Sequence, residues 1–146
     1  MSRVGDLMSR PVLRASPELT LERAAQLMIE RSVGAVVVTR GDAVAGILTE
    51  RDILRSVARG LVPWATKISE CMSAHPSTLT PGDSLDDARQ LMRQGRFRHL
   101  PVVERGALVG ILSLRDLFRA GRDAGATIQP PSNDRTSSGT MAPPGG

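Results

Sequence analysis

A duplication constrains this chain more than any other feature. The stretch Gly46-Ile47-Leu48-Thr49-Glu50-Arg51-Asp52 returns 64 residues later as Gly110-Ile111-Leu112-Ser113-Leu114-Arg115-Asp116. Sliding residues 4–59 onto 68–123 at that offset needs no gap. Met8-Ser9 falls on Met72-Ser73, Pro17 on Pro81, Gln26-Leu27-Met28 on Gln90-Leu91-Met92, and Arg55 on Arg119. Repetition at a fixed period means that one supersecondary unit is written twice and its copies pack together. A unit of about 60 residues buries only about 60% of its unfolded surface, so each copy needs the other. The expected organisation is repeat one at residues 1–60, a linker at 61–67, repeat two at 68–122 and a tail at 123–146.

Within a unit the apolar period changes. Val12-Leu13-Arg14-Ala15 reads as a brief extended segment ended by Ser16-Pro17. A helix follows, with Thr20 or Ser84 as N-cap, acids in its first turn, and Leu21, Ala24, Ala25 and Met28 along one face. Its second copy is expected to stop near Gly95, a good C-cap residue. Two apolar runs, Ala35 to Thr39 and Ala43 to Leu48, flank Arg40-Gly41-Asp42 as a hairpin, echoed around Glu104-Arg105-Gly106. They are continuous rather than alternating, which predicts a sheet covered on both faces. A last helix is expected to start at Asp52 or Asp116. The order strand, helix, strand, strand, helix makes the fold α+β.

Composition narrows the function. With 40% hydrophobic and 23% charged residues, the chain has a soluble, globular make-up. No apolar run reaches the roughly 20 residues of a membrane span, and the first residues lack a signal-peptide layout, so a cytoplasmic location is expected. Cys71 is the only cysteine and reads as a packed thiol beside Met72. With two histidines, His75 and His99, and no ligand-spaced cluster, no metal site is expected. The net charge of +4 is carried almost wholly by arginine, Lys67 being the only lysine. Arginine suits phosphate, but these residues are scattered among acids, which argues against nucleic acid. No nucleophile is paired with a base, because Pro76 after His75 breaks any helical pairing with Cys71, and no enzyme is expected. Trp64 in the linker reads most simply as a cover over the join, with a stacking platform for a base or a partner contact as the alternatives. The Pro-, Gly- and Ser-rich tail has too little apolar content to fold and predicts disorder.

The duplication, the helix-strand-strand-helix body, the Gly-x-x-Thr/Ser-x-x-Asp endings and the run Arg98-His99-Leu100-Pro101-Val102-Val103 together resemble a cystathionine-β-synthase (CBS) domain pair, over residues 4–120 or so. The resemblance implies two repeats related by a pseudo-twofold axis and packed through their sheets, with clefts that take adenosine nucleotides. It implies that Asp52 and Asp116 hold ribose hydroxyls. Thr49 and Ser113, with Arg98 and His99, would meet phosphate. It also implies a homodimer formed through helices, to which Met28, Ile29, Met92, Leu117 and Phe118 would contribute unless they are core.

Physical chemistry gives these positions two roles that share one geometry. A helix N-terminus offers unpaired N–H groups and a partial positive charge, which welcomes phosphate, and a carboxylate accepts two ribose donors at once. Thr49 with Asp52, and Ser113 with Asp116, also form capping boxes that need no ligand. Arg51 and Arg115 add charge or point to solvent. Gly34-Ala35 stand where the second repeat has Arg98-His99, so the two clefts are expected to be unequal and one site per chain to be filled. The leading expectation is a stand-alone regulatory sensor of AMP, ADP, ATP, NAD or S-adenosylmethionine that controls a regulated protein the sequence does not name. The alternative is a ligand-free dimeric module that docks on a partner protein.

Overall fold

The computed structural model describes residues 2–123, and the tail from residue 124 onward lies outside the described residues. The first repeat runs α1 (Val4–Leu7), β1 (Arg14–Ala15), α2 (Leu21–Arg31), β2 (Ala35–Arg40), β3 (Ala43–Thr49) and α3 (Glu50–Ala58). Single 3-10 turns at Pro63–Ala65 and Ile68–Glu70 lead into β4 (Ser73–Ala74), α4 (Leu85–Gly95), β5 (His99–Glu104), β6 (Ala107–Ser113) and α5 (Leu114–Asp123).

Local chemistry accounts for the element ends. Thr20 Oγ1 accepts the Arg23 N–H at 3.1 Å and Ser84 Oγ accepts that of Asp87 at 3.0 Å, so both expected N-caps form. The last helix of each repeat begins earlier than the sequence suggests. Thr49 caps α3, which starts at Glu50 and makes Asp52 its third residue. α4 stops at Gly95 as expected, but the left-handed cap is the next residue, Arg96, at φ 58°, with Ser32 at φ 54° closing α2. Gly95 leaves room for the Phe97 ring, which a Cβ there would displace. Arg105 and Gly106, at φ 54° and 81°, form the second hairpin turn, both in the positive-φ region that suits a two-residue loop.

In the first sheet β2 pairs antiparallel with β3, from Ala35 opposite Thr49 to Arg40 opposite Ala43, and β1 lies parallel to β2. The fourth strand comes from ahead of the other repeat: β4 pairs with β3 through Gly46 opposite Ala74. The second sheet mirrors this. Its β5-β6 hairpin is flanked by Leu79, bridged to Val102 in parallel, and by Ser9, bridged to Ile111 in antiparallel sense. Each repeat therefore lends its leading segment to its neighbour's sheet.

The cores follow the same exchange. Val4, fully buried, packs with Leu79, Ala88, Met92, Leu100, Val102, Leu112 and Leu117 of the second repeat. Its counterpart Ile68 is buried among Leu13, Leu21, Ala24, Met28, Val36 and Leu48 of the first. The glycines that open the repeated motif belong to this arrangement. The Met72 side chain and the Ser73 carbonyl lie where a Gly46 Cβ would stand, and the Met8 side chain does the same at Gly110.

β2 is buried on both faces from Ala35 to Thr39, as its continuous apolar run predicts. β6 instead alternates between buried and half-buried residues. Cys71 is half-buried against the first core. Trp64 does not cover the join: it stands 68% exposed on the linker turn. Turn geometry holds the linker to the first repeat instead, through the Leu21 N–H donating to the Thr66 carbonyl at 2.8 Å and the Ile68 N–H to that of Leu19 at 2.8 Å. No described helix is long and apolar enough to cross a membrane, and no described group of three His, Cys, Asp or Glu residues could hold a metal ion.

Candidate functional site

Where β3 runs into α3, the capping box forms in full. The Asp52 carboxylate accepts the Thr49 backbone N–H at 2.9 Å and the Thr49 hydroxyl at 3.1 Å, and the Asp52 N–H donates back to Thr49 Oγ1 at 3.3 Å. Its other oxygen takes the Arg55 guanidinium at 3.3 Å, and the residue is only 8% exposed. At the second junction Asp116 accepts the Ser113 N–H at 2.8 Å and donates its own N–H to Ser113 Oγ at 3.2 Å. Asp116 is more open than Asp52, and among the described residues no arginine pairs with it.

Between the repeats opens a cleft of about 1200 Å³. From the first repeat it takes Thr49, Arg51 and Asp52; from the second it takes Arg98 and His99. Five of the eight residues singled out from sequence therefore share one cavity. Ser113, Asp116 and Arg115 do not line it, and Arg115 is exposed. Arg98 and His99 share this cleft with Thr49 and Asp52, while along the strands His99 pairs with Ser113 and Ala35 with Thr49.

His99 sits at the centre of this junction. Its half-buried ring lies 3.5 Å from where a Gly34 Cβ would be, and the Glu50 carboxylate lies 3.1 Å from the same point. Glycine at position 34 leaves room for both groups. Burial lowers the His99 pKa below its ordinary value of 6.5, outweighing the pull of Glu50 and Asp116 in the other direction, and Arg98 and Arg115 lower it further. The imidazole is thus neutral at pH 7, with one nitrogen able to donate and the other to accept.

The cleft also contains residues that the motif reading missed: Arg89, Arg93, Arg96, Phe97, Leu114 and Phe118. A signal for them existed. At the offset of 64, these positions answer to Ala25, Ile29, Ser32, Val33, Glu50 and Leu54, so the second repeat departs from the first at each of them. They give the cleft apolar walls beside a row of guanidinium groups, the mixed lining that small-molecule sites use for binding and orientation.

A duplicated α+β unit with exchanged sheet edges and an inter-repeat cleft defines a tandem pseudo-twofold module. The chain belongs to the CBS-domain family, whose profile, CBS domain, matches residues 4–59 and again residues 68–123. It is 44% identical over 118 residues to the CBS domain-containing protein YhcV of Bacillus subtilis, a match covering 80% of this chain and 84% of that one. CBSCBSPB2 of Arabidopsis thaliana is 39% identical over 110 residues, covering 70% of this chain and 20% of the longer protein. Among solved structures, the CBS domain protein PAE2072 from Pyrobaculum aerophilum complexed with AMP superposes with a TM-score of 0.77 at 32% identity. That match covers 86% of this chain and 99% of the other.

Proposed function

We propose that this CBS pair is a regulatory sensor that binds an adenosine-containing nucleotide between its repeats and signals occupancy by a change of shape. One observation carries the reading: the Thr49–Asp52 junction of the first repeat and Arg98 with His99 of the second line a single cleft. In this reading the outer oxygen of Asp52 takes ribose hydroxyls in exchange for Arg55. Thr49, the N-terminus of α3 and Arg98 hold the phosphate, and Leu114 and Phe118 flank the base. The AMP complex of PAE2072 lends support from a relative. A ligand that touches both repeats binds one relative arrangement better than another, which turns occupancy into a shift of population. The Ser113–Asp116 half-site, with Arg115 beside it, is the poorer one, so one site per chain is filled. The reading assigns the chain a cytoplasmic binding role, no metal and no reaction of its own.

Thermal unfolding with AMP, ADP, ATP, NAD and S-adenosylmethionine tests it. A ligand at 100 times its dissociation constant stabilises the fold by about 2.7 kcal/mol, which is readable as a raised Tm. Asp52→Ala is expected to abolish the rise. An unchanged Tm with all five ligands would refute the sensor reading and leave the ligand-free interaction module.

A homodimer is part of the same reading. Met28, Met92 and Leu117 are core residues and Phe118 lines the cleft, whereas Ile29, at 80% exposure on α2, and Val57 on the adjacent α3 remain uncovered. Exposed apolar side chains grouped on adjacent helices mark an association surface. Sedimentation equilibrium is expected to give twice the chain mass, and Ile29→Glu with Val57→Glu to give a folded monomer.

A further inference from the structure

The duplication offers an internal control for what the cleft holds. Arg89, Arg93, Arg96 and Arg98 stand where the first repeat has Ala25, Ile29, Ser32 and Gly34, and all four line the cleft. Arg89 and Arg93 lie one turn apart on α4, and Arg96 is the left-handed residue that closes it. From the other side α3 adds Arg51 and Arg55. Against these six arginines the lining carries two carboxylates, Glu50 and Asp52. Asp52 is already held by Arg55 at 3.3 Å, and Arg89 is held by Asp86 at 3.0 Å. Among the described residues, Arg51, Arg93, Arg96 and Arg98 have no carboxylate oxygen within 4.0 Å.

A helix C-terminal dipole calls for about one cation, which Arg31 supplies in α2. It does not call for a row facing more cations across a cleft. Clefts lined by one sign of charge raise the local concentration of the opposite sign. A monophosphate brings about two negative charges, too few for this lining.

Resting on the nucleotide reading above, we infer that the cleft selects polyphosphate: an adenosine di- or triphosphate in preference to the monophosphate. The first phosphate sits at Thr49 and the N-terminus of α3, and the later ones extend to Arg93 and Arg96. A nucleoside with a cationic substituent in place of phosphate is disfavoured.

Titration calorimetry of the full chain with AMP, ADP, ATP and inorganic tripolyphosphate tests this. The companion variant carries Arg93→Gln and Arg96→Asn, asparagine being chosen because position 96 has φ 58°. ATP is expected to bind at least about tenfold more tightly than AMP, and the variant to lose about that factor for ATP while AMP stays within about twofold. AMP binding as tightly as ATP, or a variant that weakens both alike, would overturn the inference and leave the adenosine site standing. Tripolyphosphate bound by the chain and lost in the variant, with no nucleotide bound, would refute the adenosine reading and keep the arginine row as a polyphosphate site. No binding of any of the four would overturn both.

Discussion

Thr49 and Ser113 do the same local work under different loads. Each caps a helix, but Asp52 accepts three donors in a nearly buried setting, whereas Asp116 accepts the Ser113 N–H in a more open one. Removing a carboxylate that satisfies buried donors costs more than removing an exposed cap. Asp52→Ala is therefore expected to lower stability by about 2 kcal/mol and Asp116→Ala by about 1 kcal/mol, read from urea midpoints. Equal losses would contradict the difference in burial. His99 gives the pH dependence. Its folded-state pKa lies below the unfolded value of about 6.5, so below that pH the unfolded chain takes up a proton that the folded one resists. The contribution is fully present above pH 6.5 and is lost as pH falls through the depressed folded value. His99→Gln is expected to flatten the Tm profile between pH 7 and pH 5; an unchanged slope would rule out His99 as its origin.

Among the elements, β3 and β6 are linked to the other repeat's leading segment by the glycines of the repeated motif. At Gly46 an added Cβ meets the Met72 side chain and, at 2.9 Å, the Ser73 backbone carbonyl. At Gly110 the three nearest atoms all belong to the Met8 side chain, whose flexible thioether end can swing aside although its Cβ, at 3.1 Å, cannot. Gly46→Ala is thus expected to cost about 2 kcal/mol or more, and Gly110→Ala about 1 kcal/mol. If chemical denaturation gives the reverse order, the backbone contact does not decide the cost. Much of this level was legible in the sequence. The helices and the caps at Thr20 and Ser84 rest on bonds between residues three or four apart, and the strands of each hairpin on apolar runs around a short turn, all of which are written locally. The start of α3 was misplaced by two residues because its aspartate is the cap's partner rather than the cap.

For the whole molecule, the exchange of leading segments makes the pair a single cooperative unit. Val4 fills the second core and Ile68 the first, so neither repeat is complete without chain that precedes the other. Deleting residues 2–10 is expected to speed amide hydrogen exchange in β5, β6 and α4 before β2 and β3. Faster exchange in the first sheet alone would contradict the crossed packing. The cleft is a property of the same scale, since its two walls meet only when the repeats dock.

The sequence by itself determined the duplication, the α+β unit and the helix caps, and it singled out Thr49, Arg51, Asp52, Arg98 and His99, which line one cleft. It did so because periodicity, capping chemistry and differences between copies survive in the linear order. Only the tertiary structure decided that Arg98 and His99 share a cleft with Thr49 and Asp52, that Ser113 and Asp116 are not among the residues lining it, and that Trp64 stands open. Those outcomes depend on which faces of two similar units bury one another. Two copies of one unit can meet in several ways with the same local sequence, and the choice lies in long-range packing of groups such as Val4, Ile68 and Met72.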